Sequence, residues 1–559
     1  MPELTWIGKE HVVTHHQQVP YRVLERRWSF DAAAGRQAAE GGDDSGNMII
    51  RGDNLHALKS LLPRYAGRVK CIYIDPPYNT GNEGWVYNDN MNAPQIKKWF
   101  HEVVGKEGED LSRHDKWLCM MYPRLKLLRQ FLREDGVIFV SIDDDEVHHL
   151  RVLMDDLFGA RERLATFVWR TDGNFDNQAK IKNCHEYVLA YARNPDLFPH
   201  PSVVDPAVGK GSKLNRSHIR NTIVKNGPKN PVSSIVLPAG FPASINTGVI
   251  RARTDQWPHY ATDVNIVAGK LASPVTVSSG WSSKSILQSF IDSNFESVPD
   301  SKGQRTRFVV TGTGAIESIK EREQASHVIS VIGGVGSTQS QSAELSGMGF
   351  VFPFPKPVDL IRYLVSMIQG DDFIVLDSFS GSGTTAHAVL KLNAEDGGNR
   401  KFILVEMEDY AESITAERVQ RVIAGYGEGK NAVPGTGGGF SFYDLGERLL
   451  LENGNLNEAV GAARIREYVW HRETKLPAMP DCASVHPYLL GVHNGAAYWF
   501  YYEPGRQTVL DMAFLATLPR LPEAPERHII YADAQAFGDE QLERWGIEFK
   551  KIPRDIPKL

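Results

Sequence analysis

VKCIYIDPPY, residues 69–78, is the stretch on which the fold turns. Val69 to Asp75 (VKCIYID) reads as a buried strand, and Pro76-Pro77 break it immediately afterwards. Working outward, GVIFVSI (136–142) and HEYVLAYA (185–192) read as further strands. Between the first two, WLCMMYPRLKLLRQFLRE (117–134) repeats apolar residues every three or four positions, which predicts a helix ended by Asp135-Gly136. This alternation, from Met48 to about Tyr191, is the texture of an α/β layer, and such sheets present ligand sites where parallel strands end.

Asp75, Pro76, Pro77 and Tyr78 stand at one such end. Two prolines remove two N–H donors and leave rigid carbonyls that only accept hydrogen bonds. An exocyclic amino group offers two donors, one for the Asp75 carboxylate and one for the Pro76 carbonyl. That would turn the nitrogen lone pair toward an electrophile, while Tyr78 supplies a flat face for a base. The bland alternative is an N-capping Asp before a proline turn.

A second constellation is LDSFSGSGTTAHAVL (376–390), a strand, a glycine turn and a helix. Gly381 and Gly383 permit a tight turn and close backbone approach to a ligand. Read as Gly381-x-Gly383-x-x-Ala386, with Glu406 twenty positions beyond Ala386, it meets a dinucleotide fingerprint in which the acid takes ribose hydroxyls. S-adenosylmethionine fits as well as a nicotinamide, with Asp377 placed to meet an ammonium and Phe379 to pack against the cofactor. An adenosyl site together with a strand end built for an amino-bearing base points to methyl transfer onto a nucleobase. An NAD-dependent enzyme remains the alternative from another class, and hydride transfer does not require Asp75 to Tyr78. A DNA-binding module with a degenerate core is a third reading.

The chain has 559 residues, 62 Lys+Arg against 68 Asp+Glu, 42% hydrophobic and 23% charged residues. That length predicts about three to four structural units. No apolar run approaches the roughly 18 residues needed to cross a bilayer, and the first residues carry no secretory signal, so a cytoplasmic location is expected. Cys71, Cys119, Cys184 and Cys482 are far apart without a CxxC pair, which supports neither disulfides nor structural zinc.

From about Asn194 to Met348, Gly, Ser, Thr, Asn and Pro accumulate and long helices vanish. Here an acidic chain concentrates its positive charge: between Pro206 and Thr254 lie Lys210, Lys213, Arg216, Arg220, Lys225, Lys229, Arg251 and Arg253, with no Asp or Glu. Those eight are candidate contacts to DNA phosphates. The α/β texture returns at Pro357, with helices expected at 358–369, 384–392 and 410–423 and strands at 373–377 and 401–406. GYGEGKNAVPGTGGG (425–439) then reads as a flexible connector. Asp143-Asp144-Asp145-Glu146 opens a helix, where acids are expected to cap. His15-His16 and His148-His149 lack a third ligand nearby in sequence, so no metal is expected. No GxxxxGK[ST] pattern and no nuclease cluster is found, so any ATP hydrolysis or cleavage would belong to another subunit.

The chain resembles the β class of amino-group DNA methyltransferases, most closely the modification subunits of Type III restriction systems. The likeness is carried by IRGDNLHALKSLL (50–62), CIYIDPPYNTGNEGWVYND (71–89), REDGVIFVSIDDDE (133–146), LFGARE (157–162), HEYVLAY (185–191), FPFPKPVDLI (352–361) and LDSFSGSGTTAHAVL, with fainter likeness in GGGFSFYDLG (437–446) and GIEFKKIPRDI (546–556). The resemblance implies a Rossmann-like α/β methyltransferase sheet, circularly permuted so that the catalytic half precedes the cofactor half. It implies an N-terminal extension (1–47), a catalytic half (48–194), an inserted target-recognition domain (195–350), a cofactor half (351–428) and a small α+β C-terminal domain (440–559). It further implies that Asp75, Pro76 and Tyr78 activate a flipped adenine. Asp377, Phe379, Gly381, Gly383, Thr384 and Glu406 would surround S-adenosylmethionine, with Lys356 and Pro357 helping to close that pocket and Asp53 near the catalytic pocket. An Asp-initiated tetrapeptide resembles adenine-N6 enzymes more than cytosine-N4 ones. Double-stranded DNA and a second copy of the chain are the implied partners, with a helicase-nuclease restriction subunit unless the enzyme works alone.

Overall fold

The computed structural model describes the chain except for residues 1–3, 39–44, 81–112, 172–179, 210, 213–214, 216–217, 302, 322–325, 480–481, 523 and 555–559. The quoted segment from residue 81 onward, and the candidates Lys210, Lys213 and Arg216, therefore lie outside the described residues. The chain divides into two compact units, residues 1–200 with 329–559, and residues 201–328.

Among the described residues, a sheet of eleven strands organises the first unit. In chain order its strands are β1 (Arg22–Asp31), β2 (Gly35–Ala38), β3 (Met48–Arg51), β4 (Val69–Ile74), β5 (Leu132–Ile142), β6 (Arg163–Arg170), β7 (His185–Ala192), β8 (Val331–Ile332), β9 (Ile374–Asp377), β10 (Lys401–Glu406) and β11 (Gly439–Arg448). They lie side by side as β8-β6-β7-β5-β4-β9-β10-β3-β11-β1-β2. From β11 through β3, β10, β9 and β4 to β5 neighbours run parallel, whereas β7 is antiparallel to β5 and to β6. Parallel pairing demands crossovers, supplied by α1 (Asn54–Tyr65), α2 (Arg113–Phe131), α3 (Val147–Leu157), α4 (Val358–Ser366), α5 (Thr384–Asp396) and α6 (Glu417–Ala424). Two such crossovers leave the centre in opposite directions: β4 leads through α2 to β5 on one side, and β9 through α5 to β10 on the other. The crevice between β4 and β9 is thus the switch point of the sheet, where ligands bind in open α/β folds.

Burial explains why these residues form these elements. Ile72, Ile74, Ile138, Val140, Leu376 and Ile403 are at most 1% exposed and join the inward side chains of α1 and α2 in one core. At about 25 cal/mol per Å² of apolar area, that core is the main force holding the two halves of the sheet together. Asp53 caps α1, accepting from the backbone N–H of His56 at 3.1 Å. Next to it, Asn54 donates to the Ser378 carbonyl at 3.1 Å and accepts from the buried Arg124 at 2.5 Å, tying this helix to the end of β9.

Several boundaries differ from those expected. The helix expected to run to residue 134 ends at Phe131, because Leu132 already pairs with Val69 in the sheet. The segment expected as an N-terminal extension supplies β1 and β2, with β1 zipped antiparallel onto β11. Residues 329–350, expected in the inserted domain, belong to the first unit, where β8 pairs with β6. Beyond β11, residues to 554 form a four-stranded mixed sheet packed on the helix Ala462–Thr474. A buried Arg554 anchors its end to Asp533 at 2.6 Å and Glu458 at 2.5 Å.

The second unit is built of short antiparallel strands and the helix Lys284–Asp292 around Phe241, Tyr260, Phe290 and Phe308. No helix among the described residues is long and apolar enough to cross a membrane.

Candidate active site

β4 ends at Ile74, and the residues after it are held from several directions. The Trp117 indole donates to the Pro77 carbonyl at 2.6 Å. Asn79, at φ 59°, donates to the Glu146 carboxylate at 2.5 Å and to the Arg113 carbonyl at 3.1 Å, and Arg113 returns a bond to the Asn79 carbonyl at 2.8 Å. A backbone tethered on both sides of Tyr78 presents Asp75 and the ring in one fixed arrangement. The Tyr78 hydroxyl donates to Glu186 Oε2 at 2.9 Å, and Glu186 comes from β7. Burial, then the nearby Asp75 and Glu186 carboxylates, push the phenol far above its ordinary range, so it remains a donor.

Lys356 joins the same cluster. Its ammonium is 3.0 Å from Asp75 Oδ1, 3.4 Å from Glu186 Oε2 and 4.6 Å from the centre of the Tyr78 ring. Burial alone would lower its pKa, but the Asp75 and Glu186 carboxylates outweigh this and hold it above the ordinary lysine value. The lysine expected to close the cofactor pocket is therefore also ion-paired with the first residue of the Asp-Pro-Pro-Tyr loop.

The glycine turn follows β9 across the crevice. Gly381 and Gly383 take φ of 51° and 84°, and a Cβ on Gly383 would lie 3.2 Å from the Thr415 methyl. Glu406, 5% exposed at the end of β10, accepts from the backbone N–H of Gly381 at 2.8 Å, Met407 at 2.9 Å and Glu408 at 3.1 Å. Burial raises its carboxyl to about 8 against these bonds. The acid expected to meet ribose hydroxyls thus first clamps the turn. Thr415 donates to the Gly381 carbonyl at 2.6 Å. A fully buried Arg418 donates to Ser382 Oγ at 2.7 Å and Thr384 Oγ1 at 2.9 Å. Both come from the segment where the π-helical turn Ala411–Ala416 passes into α6, a widening that often marks functional sites.

Asp377 ends β9 with Oδ1 accepting from the Phe379 N–H at 3.0 Å and Oδ2 from the Thr385 hydroxyl at 2.5 Å. Burial nevertheless raises its carboxyl to about 7, with Asp75 adding to the rise. One pocket is lined by Asp75, Lys356, Asp377, Phe379, Gly381 and Thr384 together with Tyr73, Phe352 and Ser380. The buried hydroxyls of Ser378 and Ser380 find no hydrogen-bond partner among the described residues. Aromatic faces, a buried carboxyl that a cation would ionise, spare hydroxyls and two turn glycines without a Cβ are the groups that a cationic, hydroxyl-bearing cofactor calls for.

Sequence reading did not identify Glu186, Trp117, Glu146, Thr415 or Arg418 as site residues; HEYVLAY and the DDDE run were the signals available for Glu186 and Glu146. Glu146 does not cap α3 with its side chain. Fully buried, it accepts from Asn79 and meets His114 Nδ1 at 2.6 Å and His149 Nδ1 at 2.8 Å. The structure therefore gives His149 the neighbours that the sequence did not show. These are hydrogen-bond separations, so the group reads as a brace for the Asn79 turn.

Of the basic stretch, Arg220, Lys225 and Lys229 are exposed. Arg251 is paired with Asp263 at 2.6 Å, and Arg253 donates to the carbonyls of Pro258 and Thr313. The acid-free run is neutralised in part by an acid from just beyond it.

Comparison with known proteins bears on this site. The EcoPI Mod subunit of a Type III restriction-modification enzyme, from Escherichia phage P1, is 32% identical over 431 residues, 73% of this chain and 63% of that protein. The StyLTI Mod subunit from Salmonella typhimurium is 30% identical over 421 residues, covering 68% and 57%. The chain thus spans less than two thirds of the length of these relatives. Among solved structures, a putative DNA modification methylase from Thermus thermophilus, complexed with S-adenosyl-L-methionine, aligns over 72% of this chain and 98% of that one, with 14% identity and a TM-score of 0.32. A family model described as DNA methylase matches residues 69–417, from the start of β4 to the start of α6, which takes in both constellations. This chain belongs to the DNA methylase family.

Proposed function

We propose that the protein is a site-specific DNA methyltransferase that uses S-adenosylmethionine to methylate N6 of an adenine flipped out of double-stranded DNA. The observation that carries this reading is the adjacency of the Asp75 and Asp377 strand ends in one pocket at the switch point of the sheet. When bound, S-adenosylmethionine supplies an electrophilic sulfonium methyl. Asp377 binds the ammonium of the cofactor, Phe379 and Phe352 pack against it, and the Gly381–Gly383 turn lets the backbone approach it closely. Asp75 and the Pro76 carbonyl accept the two N–H bonds of the target amino group, and Tyr78 stacks on the base. Lone-pair orientation and alignment supply most of the acceleration, because the electrophile needs no further activation.

The chain order, with the Asp-Pro-Pro-Tyr half before the glycine-turn half, is read as a circular permutation, and residues 201–328 as the target-recognition insert. Arg220, Lys225 and Lys229, with Lys210, Lys213 and Arg216, are the phosphate contacts of this reading. On this reading the enzyme works in the bacterial cytoplasm, nucleoid-associated when bound to DNA, as a homodimer that either serves a restriction-modification system with a helicase-nuclease partner or acts alone.

The test is to incubate the purified protein with S-adenosylmethionine and unmodified bacterial genomic DNA, then map modified bases by single-molecule sequencing. N6-methyladenine in one short motif is the expected result. N4-methylcytosine would overturn the base assignment, and no mark in a protein that binds cofactor would overturn the activity of this chain alone.

A further inference from the structure

Lys356 makes two of the three contacts that the proposed mechanism assigns to the target base, those to Asp75 and Tyr78. An ammonium carries three N–H donors and no acceptor, and an exocyclic amino group carries two donors. Lys356 Nζ lies 3.0 Å from Asp75 Oδ1 and 4.6 Å from the centre of the Tyr78 ring, with the lysine 6% exposed. Carboxylate below and aromatic face alongside are the acceptor and the stacking surface of a base pocket. A base that takes Asp75 Oδ1 and the ring face beside the ammonium must displace the lysine from them.

The way out is also built. Glu186 Oε2 is already 3.4 Å from the same ammonium, so a small rotation of the lysine side chain moves the charge from one partly buried carboxylate to the other. That matters because a buried charge stripped of its partner is strongly destabilising. Pro355 and Pro357 flank the lysine and stiffen its backbone, leaving the movement to its flexible stem. Glu186 also accepts from the Tyr78 hydroxyl at 2.9 Å, so the acceptor for the withdrawn lysine is the group that steadies the stacking ring.

We propose that Lys356 is a displaceable stand-in for the target base, holding Asp75 and the Tyr78 face in the base-free enzyme and withdrawing onto Glu186 when an amino-bearing base enters. The proposal rests on the reading of Asp75 to Tyr78 as the base pocket. Lys356 and Glu186 are then positioning residues that set specificity. A base that presents a carbonyl instead of an amino group gives Asp75 no donor in exchange, so the lysine stays and the base is refused.

The experiment uses duplexes containing the motif found by methylation mapping, with 2-aminopurine beside the target adenine, where it brightens when its neighbour leaves the stack. Wild type, Glu186→Gln, Lys356→Met and the double variant are compared for brightening, for turnover, and for cofactor affinity and melting temperature as controls. Glu186→Gln keeps an acceptor for Tyr78 but takes away the charge that receives the lysine, so brightening and turnover should fall about tenfold or more. Adding Lys356→Met should restore the brightening. Lys356→Met alone should also extrude hypoxanthine placed at the target, which the wild type refuses; this arm suffices if Glu186→Gln does not fold. A double variant no better than Glu186→Gln, or Lys356→Met with undiminished preference for adenine over hypoxanthine, overturns the proposal. A wild type that neither brightens nor methylates would instead overturn the base-pocket reading beneath it.

Discussion

Cofactor affinity should climb steeply with pH because of Asp377. Its carboxyl is 2% exposed, and burial lifts it to about 7, so near neutrality the ligand-free protein holds a proton there about half the time. A cofactor ammonium set against that group favours the carboxylate, and binding must expel the proton. If the bound carboxyl returns to the ordinary range near 4, affinity rises about 80-fold from pH 5 to pH 8, or roughly 2.6 kcal/mol, most of it below pH 7. The sign for stability is opposite. A carboxyl whose folded pKa is raised stabilises the ligand-free fold fully below its unfolded value near 4, and that contribution is lost as pH rises through 7. The assay is titration calorimetry with S-adenosylhomocysteine, which carries the same ammonium, in two buffers of different ionisation heat at pH 6. About 0.9 proton should leave per cofactor bound. Asp377→Asn should abolish the release and flatten the pH profile. A flat profile in the wild type would refute the reasoning, and a slope that survives in Asp377→Asn would move the proton to Glu406, whose carboxyl burial raises to about 8.

Two further substitutions probe the two strand ends separately. Asp75→Ala should cut turnover at least about 100-fold, as loss of one oriented transition-state contact does, while cofactor affinity stays within twofold or so; near-wild-type turnover would remove Asp75 from the mechanism. Gly383→Ala places a side chain at φ 84° with its Cβ 3.2 Å from Thr415, at a cost of about 1–3 kcal/mol. Weaker cofactor binding and a lower melting temperature should result, and unchanged affinity in a folded variant would show that the turn does not approach the ligand.

What could be read along the chain is local chemistry. An apolar run stopped by Pro76-Pro77 has few conformations other than a strand that ends there, and Gly381 and Gly383 mark a turn only they can make. The ordered pair of constellations, and the alternation of strands and helices around each, follow from residues a few positions apart. Pairing between distant segments does not. RVLERRWSFD (22–31) has no clean period, and becomes a sheet strand because β11, more than 400 residues later, lies beside it. Tyr78 meets Glu186 across 108 residues, and Lys356, which follows the insert in the chain, lies within reach of both. Glu146, one of four consecutive acids, turns inward to two histidines and Asn79 because α2 brings His114 to it. Arg251 looked available within an acid-free run until folding set Asp263 against it. Residue order alone sets where the backbone breaks and what chemistry each break carries. Which charges come to share a buried site is a property of the folded sheet, because it depends on which strands are neighbours and on how far each side chain is removed from water.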